Sequence, residues 1–215
     1  MKKLLRVLAA QLFAAAFVLT ALSAPAHAGT ADTDPVLAAE WQTTWDTYRF
    51  SDASPPPLPG SGRERVKTSI SIEIAAPAEQ VFTAYSNINN HLGMHSFLKR
   101  VVTHKDWCRD DTRYINFTAV EEIPYQGQIV VSNTHAQQRI HQDELYYETD
   151  TWSQPNVVTH QKIVFTPLDG GRTKVTEHLT FDADTSLIDF AVTNGVASHE
   201  VTQAALKQAI ESGEL

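Results

Sequence analysis

The sequence predicts an α+β domain in which one antiparallel sheet is closed by a long C-terminal helix. Three observations predict it. Residues 66–74 alternate cleanly, with Val66, Thr68, Ile70, Ile72 and Ile74 on one side and Lys67, Ser69, Ser71 and Glu73 on the other, the period-two pattern of a half-exposed strand. Six more strand segments then follow between residues 100 and 182 across hairpin-short turns, an order that pairs antiparallel without crossovers. From Leu187 onward, apolar and small residues recur at helical spacing almost to the end of the chain.

Residues 1–28 read as a secretory signal: Lys2, Lys3 and Arg6, an apolar run from Val7 to Leu22, then Ala26-His27-Ala28 as a small-x-small cleavage site. The run is short for a stable membrane span once Gln11 and Thr20 are counted. An exported, periplasmic protein without a membrane span after signal removal is expected. Removal takes away three basic residues, so 17 − 3 = 14 Lys plus Arg stand against 25 Asp plus Glu, a formal charge of −11. A chain this acidic is a poor partner for nucleic acid or anionic lipid surfaces. Its one cysteine, Cys108, excludes an internal disulfide framework and reads as a small buried apolar side chain.

Residues 29–53 form an N-terminal extension with a short helix. Pro35 suits a first-turn position, and Leu37, Trp41, Trp45 and Tyr48 make an aromatic stripe. That stripe docks on the outside of the body, closes a cavity mouth as a lid formed by Trp41 and Trp45, or meets a protein partner. Residues 54–64, which begin Ser54-Pro-Pro-Pro-Leu-Pro-Gly-Ser-Gly62, read as a stiff then flexible linker. The main domain is expected over residues 65–215. After its first strand, Pro77 opens a helix with Val81, Phe82 and Tyr85 inward, and His91 to Leu98 reads as a second short helix. Strands are expected at residues 100–108, 112–122, 126–136, 144–152, 157–167 and 172–182. Asp184, Thr185 and Ser186 offer N-cap oxygens for the last helix, whose stripe is Leu187, Phe190, Ala191, Ala197, Val201, Ala204, Ala205 and Ala209, with Gly195 inside it. A helix lined by such small residues leaves a space beneath it or packs unusually close.

Three local stretches sharpen the fold: Ile74-Ala-Ala-Pro77-Ala-Glu79-Gln-Val81-Phe82, Asp169-Gly-Gly-Arg-Thr-Lys-Val175-Thr, and Ala204-Ala205-Leu206-Lys207. With the element order, they resemble the SRPBCC superfamily, which holds START lipid-transfer domains, polyketide cyclases and dehydrases, and birch-pollen-type allergens. The resemblance covers about residues 65–211. It implies the helix-grip fold, a curved antiparallel sheet of about seven strands wrapped on the C-terminal helix, with an apolar cavity between them. It carries no universal catalytic motif, and the export signal and aromatic extension depart from most members.

The chemistry of the site is less legible. His91 and His95 share a helix face if that segment is helical, but no Glu stands between them as in a zinc-protease motif, so no metal site is assigned. His104 and Cys108, also four apart, lie on a predicted strand, where such spacing separates them by about 13 Å. Nothing resembles a nucleophile elbow, a phosphate loop or a dinucleotide fingerprint, and no cofactor is implied.

Glu177 shares its strand face with Val175, Leu179 and Phe181, so a carboxylate faces the predicted cavity or pairs with a neighbour such as Arg113. Arg113, Tyr114, Tyr147, His160 and His178 lie on strands whose phase is open by one residue. The residues expected to line the space are Ile72, Phe82, Phe117, Tyr147, Phe165, Glu177, Leu179, Phe190, Ala197 and Val201. The expected function is to bind or carry a small hydrophobic, lipid- or polyketide-like molecule. The alternatives are a cyclase or dehydratase using Glu177 with a Tyr or His, and an interaction protein docking through the aromatic helix.

Overall fold

Helix α1 (Pro35–Tyr48) precedes strand β1 (Arg63–Ile74), helix α2 (Ala78–Ser86), six strands in a meander, and the closing helix α3 (Ile188–Ser212). The computed structural model describes residues 33–48 and 55–215. The expected signal segment, residues 1–28, lies outside the described residues, as do the ends of the extension and the first linker residue. The strands are β2 (Leu98–Arg109), β3 (Thr112–Tyr125), β4 (Gln128–His141), β5 (Tyr146–Ser153), β6 (Val157–Leu168) and β7 (Arg172–Asp184). They form one sheet in the order β1-β7-β6-β5-β4-β3-β2, with every neighbouring pair antiparallel. Among the described residues no helix is long and apolar enough to cross a membrane.

Register fixes which side chains point inward. Phe117 pairs with Ala136, Tyr147 with Ile140 and Ile163, and Glu177 with Ile163 and Ile70. Odd residues of β3, β5, β6 and β7 therefore share the inner face with even residues of β4, since strand side chains alternate. One end of that face is filled. Phe82, Tyr85 and Phe165 meet edge-on, with ring centroids 5.4 and 5.5 Å apart, and Leu206 and Ile210 of α3 close the same cluster with Val81, Val175 and Ile163. Burying a Leu such as Leu206, fully inaccessible here, stabilises by about 2 kcal/mol. At its other end α3 packs Val192 and Val196 on Leu179 and Phe181.

Two local expectations change. Residues His91 to Leu98 do not form an α-helix. A 3₁₀ turn (Ile88–His91) is followed by irregular chain, and Gly93 at φ 80° takes the left-handed conformation that ends helical winding there. Cys108 is exposed rather than buried; it lies near the end of β2, which is an edge strand of the sheet.

Helix α1 lies on the outer face of the sheet. Asp34 Oδ1 accepts hydrogen bonds from the backbone N–H groups of Val36 and Leu37, capping the helix, while its Oδ2 pairs with Arg100 at 3.1 Å. The Trp41 indole N–H donates to the Ala136 carbonyl at 2.8 Å. Trp41 and Trp45 stack at 5.3 Å, and Tyr48 stacks on Trp152 at 4.7 Å. Trp41 keeps only 4% of its surface accessible. The aromatic stripe is thus spent on this chain's own sheet, and Trp41 and Trp45 stand on the outer side of β4, away from the inner face. They are not a cavity lid.

Candidate functional site: a cavity with one polar end

Between the filled end of the sheet and the Val192–Val196 end of α3, the inner face encloses a cavity of about 490 Å³. Its existence follows from the middle of α3. Residues 191, 194, 195, 198, 199 and 202 face inward there, and they are Ala, Asn, Gly, Ser, His and Thr. None is a large apolar group able to reach the sheet. Gly195 sits directly on Phe181; a Cβ at that position would stand 2.6 Å from the ring, so glycine is what lets this ring, itself part of the cavity wall, lie against the helix.

Of the residues expected to line the space, the structure brings Phe117, Tyr147, Glu177 and Phe190 to the cavity wall. Phe82 and Phe165 are in the filled core, with Ile72 packed against it. Leu179 is on the inner face but covered by the first turns of α3. Ala197 and Val201 point away: both are exposed, Val201 to 52%. The stripe that the sequence predicts on α3 takes its phase from alanines and valines, whereas the face that meets the sheet carries polar residues in its middle third.

The ionisable groups converge at one end. Glu177, buried to 4% exposure, accepts from His199 Nδ1–H at 2.7 Å on Oε2 and from Gln203 Nε2 at 2.9 Å on Oε1. It does not pair with Arg113, which is held by Asp106 at 2.6 Å at the sheet's far end. His160 and His178 are on the outer side, His160 against Asp150 at 2.7 Å. His95 accepts the Phe97 backbone N–H on Nδ1 at 3.3 Å and donates from Nε2 to Ser198 Oγ at 3.2 Å. Its ring is 6.1 Å from that of His199. His91 Nε2 donates to the Tyr85 carbonyl at 2.9 Å. Across the sheet on β3, Glu121 accepts from the Thr134 hydroxyl.

These surroundings set opposite charge preferences. Burial holds the His95 pKa down to about 3, reinforced by the charges of His199 and His91. For His199 burial also opposes the charged ring, but the charge and hydrogen bond of Glu177, with the charge of Glu121, outweigh it, and the pKa is raised above the ordinary 6.5. Burial pushes the Glu121 carboxyl up, only partly offset by Thr134. Burial likewise keeps Tyr85 and Tyr147 in the phenol form. Among the described residues no group of three or more His, Cys, Asp or Glu side chains is placed to hold a metal ion.

Sequence patterning alone does not single out His199 or Glu121 as cavity groups, nor Gln203 behind Glu177, and it marks His95 only through its spacing from His91. A signal is nevertheless present on α3: Ser198, His199, Thr202 and Gln203 fall at i, i+1, i+4 and i+5 and make one polar strip on the helix.

No family model matches the chain, and no curated protein matches it. Solved structures do. Protein TTHA0849 from Thermus thermophilus aligns with a TM-score of 0.54 at 14% identity, over 70% of this chain and 100% of that one. A START superfamily protein from Mycobacterium smegmatis aligns at 0.52 and 18% identity, over 68% and 97%. The di-domain ARO/CYC StfQ from the steffimycin biosynthetic pathway aligns at 0.51 and 18% identity, over 68% of this chain and 45% of that one. At these identities the likeness is one of fold, and the fold is the START-like helix grip.

Proposed function

We propose that this chain is an exported protein that takes up a small, largely hydrophobic molecule in the cavity between the sheet and α3. The observation that carries the reading is the cavity itself: about 490 Å³, within the size range of small-molecule sites, walled by Phe117, Ala119, Ile123, Phe181 and Phe190, with threonine, serine and glutamine side chains along β4, β5 and β6 and its ionisable groups gathered around His199. Apolar ligand surface buried there contributes about 25 cal/mol per Å², and the polar end fixes orientation. Similarity of fold to a START superfamily protein supports it, and the signal-like first 28 residues support export.

The test is uptake of the neutral dye N-phenyl-1-naphthylamine, whose fluorescence rises in apolar surroundings. Wild-type protein is expected to bind it saturably. Ala191→Phe, which places a ring in the cavity from α3, is expected to weaken binding at least tenfold while leaving the thermal midpoint within a few degrees. Dye binding unchanged by this substitution would count against the cavity as the site.

A second reading, an enzyme of cyclase or dehydratase type, is favoured by one observation, the Glu177–His199 pair inside the cavity, and by the fold likeness to an ARO/CYC protein. Glu177→Gln separates the two. A carrier keeps its uptake of the neutral dye within about threefold, whereas an enzyme loses turnover by a factor on the order of 100 or more while still binding.

A further inference from the structure

Ser132 Oγ and Gln138 Oε1 in the cavity lining lack hydrogen-bond partners, but among the ionisable groups of the cavity most hydrogen-bonding capacity is already committed. Both ring nitrogens of His95 are engaged, by Phe97 and Ser198. Glu177 has one oxygen on His199 and the other on Gln203. Glu121 is bonded to Thr134 and is disposed by burial to be the neutral acid. His199 differs. Its Nδ1 holds Glu177, its Nε2 has no hydrogen-bond partner among the described residues, and the side chain keeps 16% of its surface accessible as part of the cavity wall. Below its raised pKa the ring therefore presents a charged, uncommitted N–H donor to the cavity.

We propose that this end of the cavity receives the anionic oxygen of an otherwise apolar ligand, a carboxylate, enolate or phenolate, on Nε2–H of His199, with Glu177 as the positioning residue that fixes the ring. The proposal rests on the ligand-binding reading above and names the class of ligand. A hydrogen bond between charged partners in a site shielded from water is stronger than a neutral one, so the acid should bind more tightly than its ester by about tenfold to a hundredfold. The chain as a whole is acidic and its long-range field does not attract anions. Selection is by contact with His199.

The pH dependence has a definite sign. When His199 loses its proton it keeps Nδ1–H for Glu177, so Nε2 becomes a lone pair facing the ligand oxygen. Anion affinity is present below the pKa of His199, which lies above 6.5, and is lost as pH rises through it. The titratable groups around this ring are Glu177 on β7, Glu121 on β3, Tyr147 on β5, Tyr85 on α2, and His91 and His95 between α2 and β2. Of these, the histidines are disposed to stay neutral by burial, and the tyrosines by burial and the nearby Glu177.

The experiment is displacement of N-phenyl-1-naphthylamine by 2-naphthoate, methyl 2-naphthoate, 2-naphthol and 2-methoxynaphthalene from roughly pH 5.5 to 9, in wild type and in His199→Gln. Expected is a tenfold to hundredfold preference for naphthoate over its ester near pH 6, collapsing toward one at high pH and in His199→Gln at every pH. A red-shifted absorption of bound naphthol marks the phenolate and distinguishes that ligand source from a carboxylate. If His199→Gln melts at the assay temperature, the wild-type pH profile decides alone. Equal displacement by acid and ester, and by naphthol and ether, at every pH overturns this inference and leaves the ligand reading standing. A protein that takes up neither the dye nor any of the four compounds overturns both.

Discussion

Glu177→Ala is expected to destabilise the fold by about 3 kcal/mol near pH 6, because removing one partner of a buried, hydrogen-bonded charge pair leaves the other without compensation. His199 and Gln203 both lose their acceptor. The loss should depend on pH in a way a simple packing defect does not. In the wild type the folded-state pKa of His199 is raised above the unfolded value of 6.5. Its stabilising contribution is therefore fully present below 6.5 and disappears as pH rises through the folded pKa. Without Glu177 the dominant influence left on His199 is burial, which disfavours the charged ring, so the variant is penalised further as pH falls below 6.5. The gap between the two proteins should widen from pH 8 to pH 5.5, with a slope approaching 1.4 kcal/mol per pH unit where the two forms differ by one bound proton. Urea unfolding of both proteins at four pH values measures it. A gap that is constant with pH would mean that the pair contributes through packing alone. His95 and His91, whose pKa values are held down by burial, make both proteins less stable in acid and largely cancel in the difference.

The fold is legible in the sequence because its signals are repetitive. Each strand repeats its alternation over many residues, and the short turns leave one pairing order, so errors at strand ends, such as β4 starting two residues and ending five residues later than expected, do not alter the topology. The turn expected between the strands 112–122 and 126–136 falls later, because β3 continues through Pro124 and Tyr125 and the reversal lies at Gln126-Gly127, both at positive φ. Of the wall, Phe117, Tyr147 and Phe190 are legible as apolar or aromatic inward positions, but of its ionisable groups only the one on β7 is. There Glu177 sits among three apolar neighbours of the same face, and a carboxylate in that company stands out. On α3 the same reasoning misleads, since it assumes that the apolar side faces the core. Here the middle of the inner face is Asn194, Ser198, His199 and Thr202, and Ala197 and Val201 are turned outward. A helix wall that serves a ligand rather than the core breaks the pattern that burial would impose. The aromatic stripe of α1 poses a different problem. Periodicity says that Trp41 and Trp45 must be covered, but which face of the sheet covers them depends on the path of a linker, and that is not written in the period.

That placement leads to the remaining prediction with a large effect. Trp41→Ala removes a side chain that is almost fully buried and carries the indole hydrogen bond to Ala136. Truncating a buried Trp costs about 3–5 kcal/mol, and a 14-residue helix has little stability of its own in water. Asp34–Arg100 is a partly exposed ion pair, worth at most about 1 kcal/mol, and cannot hold α1 in place alone. The expected result is that α1 leaves the sheet and melts while β1 to α3 stay folded. Proteolysis within residues 33–62 should accelerate by a factor on the order of 100. Emission of the remaining tryptophans should shift to the red as Trp45 loses its stacking partner and Trp152 loses Tyr48. Dye uptake should stay within about threefold of wild type, because the cavity opens on the opposite face of β4 and its core, from Phe82 to Leu206, does not involve the helix. A lid would behave otherwise: its loss would alter uptake and release first and leave the outer face of the sheet unchanged. Dye kinetics and protease sensitivity, measured on the same variant, therefore distinguish an outer brace from a gate.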